Sequence, residues 1–243
     1  MSIMKESKDI LVFYSKSPDS KYPGNYSGKG WSEYVENKED YKELSEITGW
    51  RKMLSNFYVS PKPFVLDNYE WSSVEHYFHA MKYRSSNNKQ NSEFLKTFTV
   101  GSDSPWCNEP SLAKMAGKAG RISPTTGKIY YKKIGGVNIP KDVIMHPDFY
   151  SKNDNDDAMS IADISMTAAF LAKFCQDDKL KAMLLSTNDA MLYHLVTVRG
   201  KGSKLQLWKH LMKVRDCIRK YDCDLELDKI SRQSSSGFID IVL

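Results

Sequence analysis

The chain has little of what usually punctuates or cross-links a polypeptide: 4 cysteines, 9 prolines and 13 glycines in 243 residues. So few glycines and prolines exclude a collagen-like repeat or a low-complexity chain. Cys107, Cys175, Cys217 and Cys223 stand apart, without a C-x-x-C pair and without histidines at finger spacing. This predicts reduced thiols, no structural zinc and an intracellular protein, cytoplasmic or nuclear. Long apolar runs are also missing. The first, Ile10 to Tyr14, is followed closely by Lys16 and is too short for a signal-peptide core or a membrane span. The net charge of +5 is too small to name a partner. No phosphate-cradling G-x-x-x-x-G-K-S/T or G-x-G-x-x-G run, no serine nucleophile elbow and no internal repeat occurs.

What is present is apolar residues at 41% and aromatics at 12%, enough for a sizeable buried core. The β-branched and aromatic Ile10 to Tyr14 reads as a strand, and the Gly- and Asn-rich stretch 22–30 as a loop. Glu39 to Ile47 reads as a helix closed by Thr48-Gly49. Residues 54–58 and 64–69 read as short extended segments, forming a small hairpin or strand pair. Helical spacing then predicts helices over Trp71 to Tyr83, Glu93 to Phe98, Ser111 to Ala119, Ile161 to Cys175, Asp178 to Leu185, Asp189 to Leu195 and Leu205 to Tyr221. The expectation is an α+β, mainly helical single domain over residues 1–221 with a few short strands. Loop-rich insertions fall near 22–50 and 122–157, and residues 222–243 form a tail of linker composition.

The sharpest segment is Trp71-Ser-Ser-Val-Glu75-His-Tyr-Phe-His79-Ala-Met-Lys82-Tyr83. Val74, Tyr77, Phe78 and Met81 form one apolar stripe, while Glu75, His79 and Lys82 follow at i, i+4 and i+7 on another face. Spacing alone leaves two readings of Glu75: a general acid or base, or the carboxylate of a Ser72–Glu75 capping box. His76 and His79 are three apart, not the four of a zinc-binding H-E-x-x-H helix, and no third ligand is near, so no metal is expected. Gly117-Lys-Ala-Gly120-Arg121 either seats a phosphate or merely ends a helix. From Arg199 to Lys220 eight cations face the single acid Asp216, a run that either contacts DNA phosphates or is a solvated face.

Phe13-Tyr-Ser15, Leu54-Ser-Asn56-Phe57-Tyr58, the Trp71 to Tyr83 segment and Gly120-Arg121 together resemble the NADAR (NAD and ADP-ribose) family, the YbiA-like N-glycosidases. The likeness continues through 166–174, 184–192 and 211–215, in the family's order, and spans Ile10 to about Tyr221. It departs at Ala158, where bacterial members carry tryptophan, and it lacks an Asp-x-Trp-Gly stretch. In its place stands His194-Leu-Val-Thr-Val-Arg199-Gly200, similar to a eukaryotic and large-virus branch.

The resemblance implies a compact, mainly helical fold that cleaves N-glycosidic bonds with no cofactor and with Glu75 as the catalytic carboxylate. It implies substrate contacts at Phe13, Ser15, Asn56, Phe57, Trp71, His79, Lys82, Gly120, Arg121, His194, Arg199 and Gly200. Lys82, Arg121 and Arg199 would hold ribose-linked phosphates, and Phe57 or Trp71 would stack on a base. The expected substrate is ADP-ribose on a modified guanine of DNA, held partly through Arg199 to Lys220. The alternatives are phosphoribosylamino-pyrimidines of riboflavin synthesis, or an inactive module that binds ADP-ribose or NAD.

Overall fold

Ile10-Leu-Val-Phe13 forms the first strand, as its β-branched and aromatic character requires. The structure, a computed structural model, describes residues 8–19, 22–28, 30–85, 88–123, 125–130, 133–151, 159–198, 202–221, 223 and 226. In chain order the elements are β1 (Ile10–Phe13), β2 (Ser27–Gly28), β3 (Trp31–Ser32), α1 (Lys42–Glu46), α2 (Trp50–Met53), β4 (Phe64–Leu66), β5 (Tyr69–Trp71) and α3 (Val74–Met81). There follow α4 (Lys89–Lys96), α5 (Pro110–Ala116), β6 (Lys133–Ile134), β7 (Val137–Asn138), α6 (Ile161–Cys175), α7 (Asp178–Leu185), β8 (Met191–Val198), β9 (Gly202–Leu207) and α8 (Lys209–Lys220). This is an α+β fold. Among the described residues no helix is long and apolar enough to cross a membrane.

The chain divides into two compact units, Met1–Tyr58 with Asp177–Asp222 and Val59–Gln176 with Cys223–Leu243. In the first, β8 lies between β1, which is parallel to it from Ile10↔Met191 to Phe13↔His194, and the antiparallel β9. Residues 189–195, expected to be helical, are therefore mostly strand. Leu192 and Leu195 mimic helical spacing, but β-branched Val196, Thr197 and Val198 and a partner strand far back in the chain decide for β. The expected helix 205–221 splits for the same reason: Leu205 to Leu207 complete β9, and α8 begins after Trp208. Residues 54–58, expected to be extended, instead turn after α2, with the Ser55 carbonyl accepting from the Tyr58 amide at 3.2 Å.

The first unit is pinned by a buried ion pair that no local pattern announces. Arg51 grips Glu33 through Nε at 2.8 Å and a terminal nitrogen at 2.6 Å, with both side chains essentially unexposed. The same carboxylate accepts from the amides of Val12 and Gly24, each at 3.0 Å, and from that of Tyr26 at 3.4 Å. The guanidinium lies 4.1 Å from the centre of the Trp50 ring.

In the second unit the hairpin is β4–β5, not a pairing with residues 54–58. Asp67 and Asn68 take φ of 55° and 63°, the left-handed pair of a two-residue turn that suits Asp and Asn. Helix α6 opens on a true capping box, Ser160 with Asp163, and packs against α3. Aromatic rings fill the core, with Tyr83 and Phe94 edge to face at 4.7 Å and Trp106 beside Phe94. Within the loop-rich stretch the only regular pieces among the described residues are β6–β7, turning on Gly135 and Gly136, and a bridge between Ile122 and Ile129. The expectation of four reduced thiols is overturned for two of them. Cys175, at the end of α6, is disulfide-bonded to Cys223, while Cys107 and Cys217 are buried thiols.

Candidate active site

Helix α3 begins one residue later than its sequence suggests. Its N-cap is Ser73, whose hydroxyl accepts from the His76 amide, so the Ser72–Glu75 capping box does not form. Ser72 instead donates to the Cys107 carbonyl at 3.2 Å. Glu75 is thereby released from the helix end. Its Oε1 meets His79 Nε2 at 3.0 Å, one turn along, with both side chains buried. The i, i+4, i+7 row survives, but it faces the interior: Glu75, His79 and Lys82 are 2%, 5% and 3% exposed.

Burial sets the protonation of this row. It pushes His79 down to about 4 despite Glu75, so near neutral pH the imidazole is uncharged and its Nε2–H donates to the carboxylate. Burial alone would raise the Glu75 carboxyl. The hydrogen bond from His79, with the charges of Lys114 and Lys82, outweighs it and holds the group below the usual carboxylate value. Lys82 is brought down to about 7, again by burial, only partly offset by Glu75. Its Nζ donates to the Gly117 carbonyl at 3.1 Å and lies 5.2, 5.8 and 5.3 Å from the ring centres of Phe78, Phe149 and Tyr150. A half-charged amine in an aromatic box, beside an ionised carboxylate, is the chemical core of the site.

Two glycines make this packing possible. A Cβ on Gly117, which closes α5, would run into Nδ1 of His79, so the helix end presses directly on the imidazole. Gly120 takes φ of 64° and its missing Cβ leaves room for the backbone of Val143 and Ile144. The chain beyond them is tied by the His146 amide donating to the Lys82 carbonyl at 2.8 Å, which carries Phe149 and Tyr150 to the amine. Exposed Lys114, Lys118 and Arg121 line the same region, and their charges all act on Lys82. Lys114, on α5, escaped the sequence reading, while Lys118 lies within the Gly117 to Arg121 turn that the sequence singled out.

Of the other expected contacts, Trp71 is fully buried, donates Nε1–H to the Leu66 carbonyl at 2.9 Å and meets Tyr77 edge to face. That is a correction: its ring has no face to offer a base. Phe13, Ser15, Asn56, Phe57 and His194 belong to the other unit. There Phe13 and His194, paired across β1 and β8, stack at 5.2 Å, and Trp208 meets His194 at 4.7 Å. Ser15 is exposed and Asn56 buried. Arg199 and Gly200, and Ala158, lie outside the described residues. In the basic run, Arg215 is buried and donates to Thr187 Oγ1 and the Ala190 carbonyl, and Arg219 pairs with Asp189 at 2.6 Å. These two cations hold α8 in place. Lys204, Lys209, Lys213 and Lys220 are exposed, as is Arg219 itself. No group of three or more metal-ligating side chains occurs among the described residues.

No protein-family model and no curated protein matches the chain. A solved structure does: the NMR structure of the E. coli protein YbiA, at 20% identity over 89% of this chain and 88% of that one, with a TM-score of 0.46.

Proposed function

We propose that this protein is an N-glycosidase acting on a phosphate-bearing ribose, and that its substrate is ADP-ribose joined to a nucleobase, as on a modified guanine of DNA. The observation that carries the reading is the buried, ionised Glu75, oriented by neutral His79 and overlooked by the exposed cations Lys114, Lys118 and Arg121. The motif resemblance around Trp71 to Tyr83 supports it independently.

Cleavage of a ribosyl N-glycosidic bond builds positive charge at the anomeric carbon as the base departs. A fixed carboxylate in a dry setting stabilises that charge and takes the proton of an attacking water. His79 keeps the Glu75 oxygen in place, because the tautomer that donates to the carboxylate leaves Nδ1 against Gly117. The cations attract the diphosphate and hold the sugar in register with Glu75.

A second route is favoured by Lys82. An amine that titrates near 7 is a nucleophile at neutral pH, able to attack the anomeric carbon, release the base and leave an imine that water then hydrolyses. Glu75→Gln removes the negative charge and the proton acceptor while keeping shape, and should cut turnover of an ADP-ribosylated guanosine oligonucleotide by roughly 10²–10⁴-fold. Near-wild-type release of ADP-ribose would end the assignment. Borohydride added during turnover separates the routes: a covalent sugar adduct on Lys82 selects the amine, and its absence selects water. A protein that binds ADP-ribose yet hydrolyses neither this oligonucleotide nor a phosphoribosylamino-pyrimidine is the binding module instead.

A further inference from the structure

We propose that Tyr150 is the stacking platform for the nucleobase at the mouth of the Glu75 site. The residue lies in a stretch that the sequence marks only as an insertion. The residue is 57% exposed, unusual for a large aromatic that also touches a buried cluster of ionisable groups. Its ring neighbours pack against it without stacking: Phe149 in a T-shaped pair at 5.0 Å and 89°, and Phe78 tilted at 6.5 Å and 59°. Lys82 Nζ stands over the ring at 5.3 Å and occupies one face. Among the described residues no ring is stacked on Tyr150 face to face, and more than half of the residue's surface is exposed.

The position fits the ligand. The charges of both Glu75 and Arg121 reach the Tyr150 hydroxyl, so the residue lies near both the carboxylate that attends the anomeric carbon and a cation suited to phosphate. The base is joined to that same anomeric carbon and must lie within a bond length or two of it. Exposed Tyr150, beside Lys82, is the aromatic surface available there, and Trp71, the aromatic expected to stack, is sealed in the core. Phe149 is itself fully buried and acts as the wall that fixes the tyrosine. This assignment takes its ligand class from the N-glycosidase reading but makes a claim about binding that holds without turnover.

The test is calorimetric titration of the full chain with two probes, guanosine 5′-monophosphate and ribose 5-phosphate, which differ by the base. Stacking on an aromatic contributes about 1–3 kcal/mol per base, so the wild type should bind the nucleotide roughly 5- to 150-fold more tightly than the sugar phosphate. Tyr150→Phe should keep that preference, while Tyr150→Leu, of similar bulk but without a π face, and Tyr150→Ala should lose most of it. No preference in the wild type, a preference retained in the alanine variant, or its loss in the phenylalanine variant would each overturn the proposal. Melting curves of the four proteins should coincide within a few degrees, since the ring is largely exposed. Glu75→Gln should keep the preference for the nucleotide over the sugar phosphate. If that variant still hydrolyses substrate, the N-glycosidase reading falls while the binding result stands.

Discussion

Each unit of this protein buries a glutamate beside a basic group, and the two are finished differently. Glu33 receives both prongs of Arg51 and three backbone amides, and its partner cation cannot lose its proton under ordinary conditions. Glu75 meets an imidazole that burial keeps neutral, and a lysine that burial brings to about 7. The first arrangement is saturated and static, which suits a structural staple. The second leaves protons free to move near neutral pH, which suits chemistry. Buried charge therefore does not by itself mark a functional site; the partner's ability to titrate does.

The comparison breaks most visibly at Arg51. Arg51→Ala strands an ionised carboxylate in the interior and should cost about 3–5 kcal/mol of stability, measured by urea unfolding. A loss below about 1 kcal/mol would mean that the staple is not what holds β1 and α2 together.

Gly117→Ala is the next largest. The residue's φ of −65° suits alanine, so the whole cost comes from the new methyl meeting the His79 imidazole. Overpacking of this kind costs about 1–3 kcal/mol, and the displaced imidazole should also lower turnover. Adding His79→Ala should restore much of the stability but not the turnover. Additive stability losses in the double variant would place the contact elsewhere.

The smallest effect, reckoned per pH unit, is in pH dependence. The folded chain holds Lys82 at about 7 while the unfolded chain holds it near 10.5, so between those values the unfolded state binds the extra proton. Stability should rise with pH across that window, by at most about 1.4 kcal/mol per pH unit, and Lys82→Met should flatten the slope. An unchanged slope in the methionine variant would show that Lys82 is not the titrating group.

Much of the site was legible because it is written on one helix. The row Glu75, His79, Lys82 follows from helical spacing, and α3, α6 and α7 appear where their apolar periods put them. Less legible was Glu75's freedom from a capping role, since Ser72 and Ser73 are both competent caps and only the observed helix start chooses between them. Residues 189–195 failed as a helix because strand pairing is non-local, and the run 199–220 over-counted its cations because Arg215 and Arg219 are committed to Thr187, Ala190 and Asp189.

By itself the sequence determined the α+β class, the helices with strong apolar periods, and the order of groups along α3, because each depends on neighbours a few residues apart. Tertiary structure decided everything that depends on distance in the chain. It joined Cys175 to Cys223 across a separation of 48 residues, drew Glu33 to Arg51, and buried Lys82 among Phe78, Phe149 and Tyr150. Those last contacts shift the proton affinities of a row of ordinary side chains, because desolvation acts only once the chain has closed around them and excluded water.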